Sequence, residues 1–189
     1  MVWSNISGSL KTVTFSNTNI TSYTLTCVEK GGSFTLTNDA SVESVTLTGF
    51  ETVTIQNCQK LKKIVIQDYT DHVNTNIYTT SLSVSNCKND QLCISSDSNS
   101  TTANTVYLTD STNLKYIYFR GCTYLKYVYL PKNLVAKSYC FEGITQLETI
   151  DTDALYISDN TFCNCSAFEG KNSSGKFANL KVDEKTTSL

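Results

Sequence analysis

The sequence predicts a mainly β solenoid, with coils of about 22 residues and two short strands per coil. Three observations predict it. A short pattern recurs: apolar, any residue, Gly or Asn, Cys or Ile, then Leu or Phe after a gap. Its copies are IQNCQKL (55–61), VSNCKNDQL (84–92), FRGCTYL (119–125), FEGITQL (141–147) and FCNCSAF (162–168), the last three starting 22 and 21 residues apart. A repeat of that length buries its apolar face only against its neighbours. Second, apolar residues recur with strand periodicity about every 11 residues, half the repeat: Ile55 to Ile66, Leu108 to Phe119, Phe119 to Leu130, Leu130 to Phe141. Third, Thr, Ser, Asn and Tyr dominate the polar residues, and Thr and Tyr suit strands.

The strand motif is L-x-x-V/I-x-L/I/F. It reads Leu10, Val13, Phe15; then Val42, Val45, Leu47; then Phe50, Val53, Ile55; then Leu61, Ile64, Ile66; then Leu114, Ile117, Phe119; then Leu125, Val128, Leu130. The last two apolar positions of each alternate with polar or aromatic residues, the period of a half-buried strand. Val45, Leu47, Val53, Ile55, Ile64, Ile66, Ile117, Phe119, Val128 and Leu130 are expected to point inward. Parallel stacking of equivalent strands forms two narrow sheets, with coils about 4.8 Å apart. No helix longer than two turns is predicted. Gln67–Asn76 and Ser95–Asn104 are polar, fall where strand spacing stretches, and read as inserted surface loops. Phe177–Val182 is a candidate last strand, and fraying is expected beyond Asp183.

Each copy places Gly or Asn before the Cys position: Asn57, Asn86, Gly121, Gly143 and Asn164. These residue types adopt positive φ most easily, which a tight corner at every coil demands. Cys58, Cys87, Cys122 and Cys165 share the next position, where Ile144 stands in the fourth copy and Thr18, Asp39 and Phe50 in looser ones. A position that accepts Cys or Ile is a small buried slot, in which a free thiol acts as a small hydrophobe. Cys58, Cys122 and Cys165 are therefore expected to be buried, reduced and stacked. Cys27, Cys93, Cys140 and Cys163 lie off the slot and are the candidates for any disulfide. The chain has no CxxC pair, so a zinc site is not expected.

Composition excludes several functions. The net charge is −2 and Arg120 is the only arginine, so neither a basic nucleic-acid face nor a guanidinium clamp is expected. No run of 18 apolar residues predicts a membrane span. No signal peptide is visible at MVWSNISGS, so either the protein is not secreted or this is a mature domain from a larger precursor, and the second is the expectation. His72 is the only histidine and lies in the first inserted loop, which leaves no His-based triad or two-His metal site within the chain. Asp151 with Asp153, or Asp68 with Asp71, would seed a carbohydrate-cleaving site only if held at fixed separation across a groove; turn chemistry explains such pairs. No cofactor or metal is expected. Thr12-Val13-Thr14 and Thr52-Val53-Thr54 suggest an ice-binding array, but the middle of the chain lacks the long regular run of Thr that it needs.

FRGCTYLKYVYLP (119–131), CFEGITQLETI (140–150) and ISDNTFCNCSAF (157–168) resemble the repeat of the BspA-like leucine-rich repeats of bacterial surface proteins. That repeat looks like A-F-x-G/N-C-x-x-L-x-x-I-x-I-P, followed by a second strand ending I-G-x-x-A-F. Close matching spans about Leu108 to Gly170; the departures are the near-absence of proline and of a second-strand Gly. The resemblance implies a right-handed leucine-rich-repeat solenoid, secreted or at the cell surface, used in adhesion. It carries over no catalytic residues, so an enzyme is not expected. The expected organisation is one domain over 1–189: degenerate or capping repeats over 1–106, well-matched repeats over 107–170, and a polar cap or tail over 171–189. The expected partner is a protein or glycan, such as host extracellular matrix, bound by a monomer. The alternative is a structural spacer or capping domain of a larger surface protein.

The candidate partner-binding residues are Tyr107, Tyr116, Tyr118, Tyr127 and Tyr129. In the early strands the outward position between two inward residues is Thr14, Thr46, Thr54 or Val65; from residue 107 onward it is Tyr107, Tyr118 and Tyr129, with Tyr116 and Tyr127 two residues before the last two. With two strands per coil, Tyr107 and Tyr129 fall on one sheet and Tyr116 and Tyr118 on the other. Tyrosine offers a large amphipathic area at little rotamer cost and is enriched where interfaces carry most of their energy. The two inserted loops are expected to rim the same surface.

Overall fold

The computed structural model describes residues 2–4, 11–70 and 76–182. His72, Asp71, Leu10 and the tail beyond Asp183 lie outside them. Two eight-stranded parallel sheets carry the fold. Sheet A stacks, in spatial order, β1 (Val2–Ser4), β3 (Ser22–Thr26), β5 (Ser44–Thr48), β7 (Lys63–Gln67), β11 (Cys93–Ser95), β12 (Thr105–Tyr107), β14 (Tyr127–Tyr129) and β16 (Thr149–Asp151). Sheet B stacks β2 (Thr12–Ser16), β4 (Ser33–Thr37), β6 (Thr52–Gln56), β10 (Ser81–Ser85), β13 (Tyr116–Tyr118), β15 (Leu134–Ala136), β17 (Leu155–Ile157) and β18 (Leu180–Val182). The chain alternates between the sheets, two strands per coil, except at β11–β12 and β17–β18, where consecutive main-sheet strands share a sheet, and no helix occurs among the described residues.

The register of the stack is set residue by residue. On sheet B, Val13, Phe34, Val53, Leu82, Ile117 and Ala136 are successive partners; on sheet A, Tyr23, Val45, Ile64, Ile94, Val106, Val128 and Ile150 are. All are buried, because every second residue of a strand points to the same face. The inward rows of both sheets meet in one continuous apolar core. All ten residues expected to point inward are in it. Aromatic rings contact one another along it: Phe119, Phe141 and Phe162 at centroid distances of 5.9 and 5.4 Å, the second pair stacked, and Tyr23, Phe34 and Phe50 edge to face at 6.2 and 5.9 Å.

The corners obey the positive-φ expectation. Asn57, Asn86, Gly121, Gly143 and Asn164 have φ of 56°, 50°, 69°, 72° and 60°. Asn17 and Asn38 adopt 51° and 55°, which extends the same corner to the first coils. At this φ the corner N–H turns along the solenoid axis and bonds the next coil. Asn38 N donates to Gln56 O at 3.0 Å, Asn57 N to Ser85 O at 3.0 Å, Asn86 N to Arg120 O at 2.9 Å, Gly121 N to Glu142 O at 2.8 Å and Gly143 N to Cys163 O at 2.9 Å. The asparagine side chains add a second ladder: Asn57 Nδ2 donates to Asn38 Oδ1 at 2.8 Å and Asn86 Nδ2 to Asn57 Oδ1 at 3.2 Å.

The two insertions differ. Within the first, β8 (Tyr69–Thr70) and β9 (Asn76–Ile77) form a small antiparallel hairpin off the main stack. In the second, residues 96–104 return the chain to sheet A without adding a strand to sheet B, so β11 and β12 are direct neighbours. Asp97 N donates to Ser95 Oγ and Asn99 N to Asp97 Oδ1, which holds the loop in tight turns. It folds over the outer face of sheet A: Lys63 Nζ donates to Ser98 O at 2.6 Å and Cys93 Sγ lies 3.6 Å from Ser100 Oγ. Val65 is therefore buried although it points outward from its strand, which corrects the expectation of an exposed row there. The candidate last strand is present as β18.

Phe119 is fully buried between two coils. Phe119→Ala is expected to cost about 3–5 kcal/mol in a reversible urea melt, the range for deleting a large buried aromatic. A variant as stable as the parent would show the register to be wrong.

Candidate binding surface

The thiol column is where the small-slot reading meets the structure. Cys58, Cys87 and Cys122 are fully buried, and Cys140, expected off the slot, joins them inside. No disulfide joins any of the described cysteines. Each weak S–H finds a backbone carbonyl: Cys58 Sγ to Gln56 O at 3.3 Å, Cys122 Sγ to Val84 O at 3.5 Å, Cys140 Sγ to Ile117 O at 3.3 Å. Burial pushes the Cys122 thiol up to about 12 and raises Cys140 further. Such protonated, enclosed thiols are poor nucleophiles and poor metal ligands. Cys165 departs from expectation: it is half-exposed, because its corner is the last of the column among the described residues. At the other end the column finishes on Asp39, a fully buried carboxylate. It accepts hydrogen bonds from the Thr18 hydroxyl, from Ser41 N at 2.9 Å, from Val42 N at 3.2 Å and from the Tyr23 hydroxyl at 3.3 Å. Four donors compensate for its lost hydration. The column is structural.

The five tyrosines do not form one surface. Tyr107, Tyr127 and Tyr129 lie on sheet A and Tyr116 and Tyr118 on sheet B, with the core between them. On sheet B the rings already have cationic company. Lys137 Nζ sits 5.5 Å from the Tyr116 centroid, and Arg120 sits 5.6 Å from that of Tyr139. The sole arginine is further tied to Glu142 by a 2.6 Å ion pair. Sheet A differs. Tyr107 and Tyr129 are register partners with ring centroids 5.5 Å apart and planes at 51°. Tyr107 is 40 % exposed. Burial, the Asp151 carboxylate and the neighbouring tyrosines raise the Tyr129 hydroxyl above its usual range, so it stays a proton donor. Tyr127 is likewise raised, by its hydrogen bond to Glu148.

Beside this pair, at the ends of β12, β14 and β16, lies a groove of about 460 Å³. Thr109, Thr112, Lys132, Asp151, Asp153 and Asn172 line it. Sequence reading set the Asp151–Asp153 pair aside as turn chemistry; the missing signal was register, which makes Asp151 the strand partner of Tyr129. Ser173 fixes the Asp151 carboxylate through its N–H at 3.0 Å and its hydroxyl at 2.7 Å. The 96–104 loop covers the outer face of β7 and β11, next to β12 and Tyr107.

The family model for the BspA type leucine-rich repeat region matches in six copies, over residues 4–85 and 55–169. The chain belongs to the BspA-type leucine-rich repeat family. No curated protein and no solved structure matches it. Membership carries a repeat solenoid of the kind that serves as a binding module, in a family that is typically non-catalytic. No helix among the described residues is long and apolar enough to cross a membrane.

A thiol reagent applied to the native protein is expected to leave Cys58, Cys87, Cys122 and Cys140 unmodified while reaching Cys163 and Cys165. After denaturation all eight should react. Prompt native labelling of Cys122, read by peptide mass spectrometry, would refute the buried column.

Proposed function

We propose that this solenoid is a non-catalytic adhesion module of a secreted or cell-surface protein, acting as a monomer and as one domain. It binds its partner with the outer face of sheet A. The observation that carries this reading is the Tyr107–Tyr129 pair, exposed at Tyr107 and half-buried at Tyr129, which has no cation packed on it among the described residues and stands beside a groove of mixed polar and apolar lining. Aromatic residues of this kind anchor interfaces, and a rigid strand pair presents them with little entropy left to lose. Tyr116 and Tyr118 on sheet B play the lesser part, since cations already attend that face. The partner is a macromolecule of the extracellular matrix.

The test is adhesion of the purified chain to immobilised extracellular-matrix proteins. The double variant Tyr107→Ser/Tyr129→Ser, checked for its fold by circular dichroism, is expected to lose at least tenfold in affinity, about 1.4 kcal/mol or more. Tyr116→Ser should bind as the parent does. Undiminished binding by the folded double variant would remove the site from sheet A. Absence of adhesion by the parent chain would favour a spacer domain instead.

A further inference from the structure

Tyr107, Tyr129 and Asp151 form one outward row across three adjacent strands, each in register with the next. Adjacent strands lie about 4.8 Å apart, so the row is continuous at side-chain scale. Its first part is an aromatic platform. Its last member opens into the groove with Asp153, Thr109, Thr112, Lys132 and Asn172. We infer that this composite site takes a neutral oligosaccharide, one sugar packed on the Tyr107–Tyr129 platform and the following units hydrogen-bonded in the groove. The inference rests on the binding-module reading above and names its ligand class.

The chemistry of the lining selects carbohydrate over the alternatives. A sugar presents apolar C–H faces, which pack on aromatic rings, and hydroxyls that both donate and accept. The groove supplies the complement. The carboxylates of Asp151 and Asp153 accept, the Lys132 ammonium donates, and Thr109, Thr112 and Asn172 do both. Asp151 is held in place by Ser173 yet keeps lone pairs for a ligand. The core of a protein interface is depleted of charged residues, whereas three of the nine residues lining this groove, Lys132, Asp151 and Asp153, are charged. A nucleic acid requires a basic surface, and Lys132 is here outnumbered by two carboxylates. The same excess of negative charge disfavours sialylated or sulfated chains.

Cellohexaose, maltohexaose and chitohexaose, with a sialylated oligosaccharide as the charged comparison, are the probes for an NMR titration of the ¹⁵N-labelled chain. The expected result is that at least one neutral probe shifts amides in 107–109, 129–132 and 151–153, and that the sialylated probe binds more weakly. Tyr129→Ala and the separate, exposed-site variant Asp153→Ala are each expected to weaken that binding by about tenfold. Tyr129→Phe, which keeps the ring, should stay within about threefold of the parent. Tyr116→Ala on sheet B should bind as the parent. Absence of shifts with every neutral probe, or shifts confined to another face, would overturn the inference. The adhesion assay repeated on enzymatically deglycosylated matrix separates the two proposals. Adhesion lost on deglycosylation supports both. Adhesion that persists there, and still falls in Tyr107→Ser/Tyr129→Ser, means a protein partner: the carbohydrate inference fails and the binding function stands. A parent chain that binds neither matrix nor oligosaccharide fails both.

Discussion

The fold depends on one backbone constraint: a corner residue at positive φ that sends its N–H to a carbonyl of the next coil. L-residues with a branched or bulky Cβ resist that conformation, and Asn and Gly accept it. The sheet-B corner takes such a residue after the second inward side chain of its strand or the equivalent position, from Asn17 through Asn164, and other turns use the same conformation at Gly49, Asn133 and even Tyr139. The corner bond extends the ladder of the parallel sheet around the bend. A parallel stack without it would lose one inter-coil hydrogen bond at every coil, about 0.5–1.5 kcal/mol each. The asparagine amides then bond each other from Asn38 to Asn86, in line with the register that the backbone already fixes.

Register is what turns sequence into surface. Because successive coils align residue for residue, outward positions separated by 22 residues become neighbours in a row. Early outward rows carry Ser and Thr; the row through β12, β14 and β16 carries Tyr107, Tyr129 and Asp151. The inward rows do the opposite work and bury nearly everything apolar in a single core. The same alignment stacks the slot residues into the column Asp39, Cys58, Cys87 and Cys122. Its small thiols fill a narrow buried slot, and the one carboxylate sits where four donors reach it.

Much of this was legible because periodicity and residue type speak to the same constraint. Alternation points Ile64, Val128 and Leu130 inward, and the recurrent Gly or Asn marks the corner. The split of the tyrosines between two sheets followed from the 11-residue spacing. Other features depended on contacts that no periodicity encodes. Val65 stands at an outward position yet is buried, because the 96–104 loop folds across its strand. Cys165 occupies the slot yet is half-exposed, because it is the last of its column among the described residues. Cys140 lies off the slot, which Ile144 fills in that coil, and is buried all the same, bonded to Ile117 O. The groove was invisible, since it joins residues from three strand ends and the segment around Asn172. Asn17 and Asn38 carried a readable signal, Asn one residue before Thr18 and Asp39, that the emphasis on cysteine obscured.

The corner constraint is tested most directly by comparing two glycines that share it. Gly121 and Gly143 both have positive φ, 69° and 72°. A Cβ at Gly143 meets no atom within 4 Å, whereas one at Gly121 falls 2.3 Å from Asn86 Oδ1 and must displace the asparagine ladder. By equilibrium denaturation, Gly143→Ala is expected to cost about 1–2 kcal/mol, the intrinsic penalty of the left-handed conformation. Gly121→Ala should cost about 1 kcal/mol more, for the lost Asn86 hydrogen bond, and an Asn86→Ala background should erase the difference. Alanine tolerated without loss at both positions, or equal losses in both backgrounds, would contradict a solenoid built on this corner.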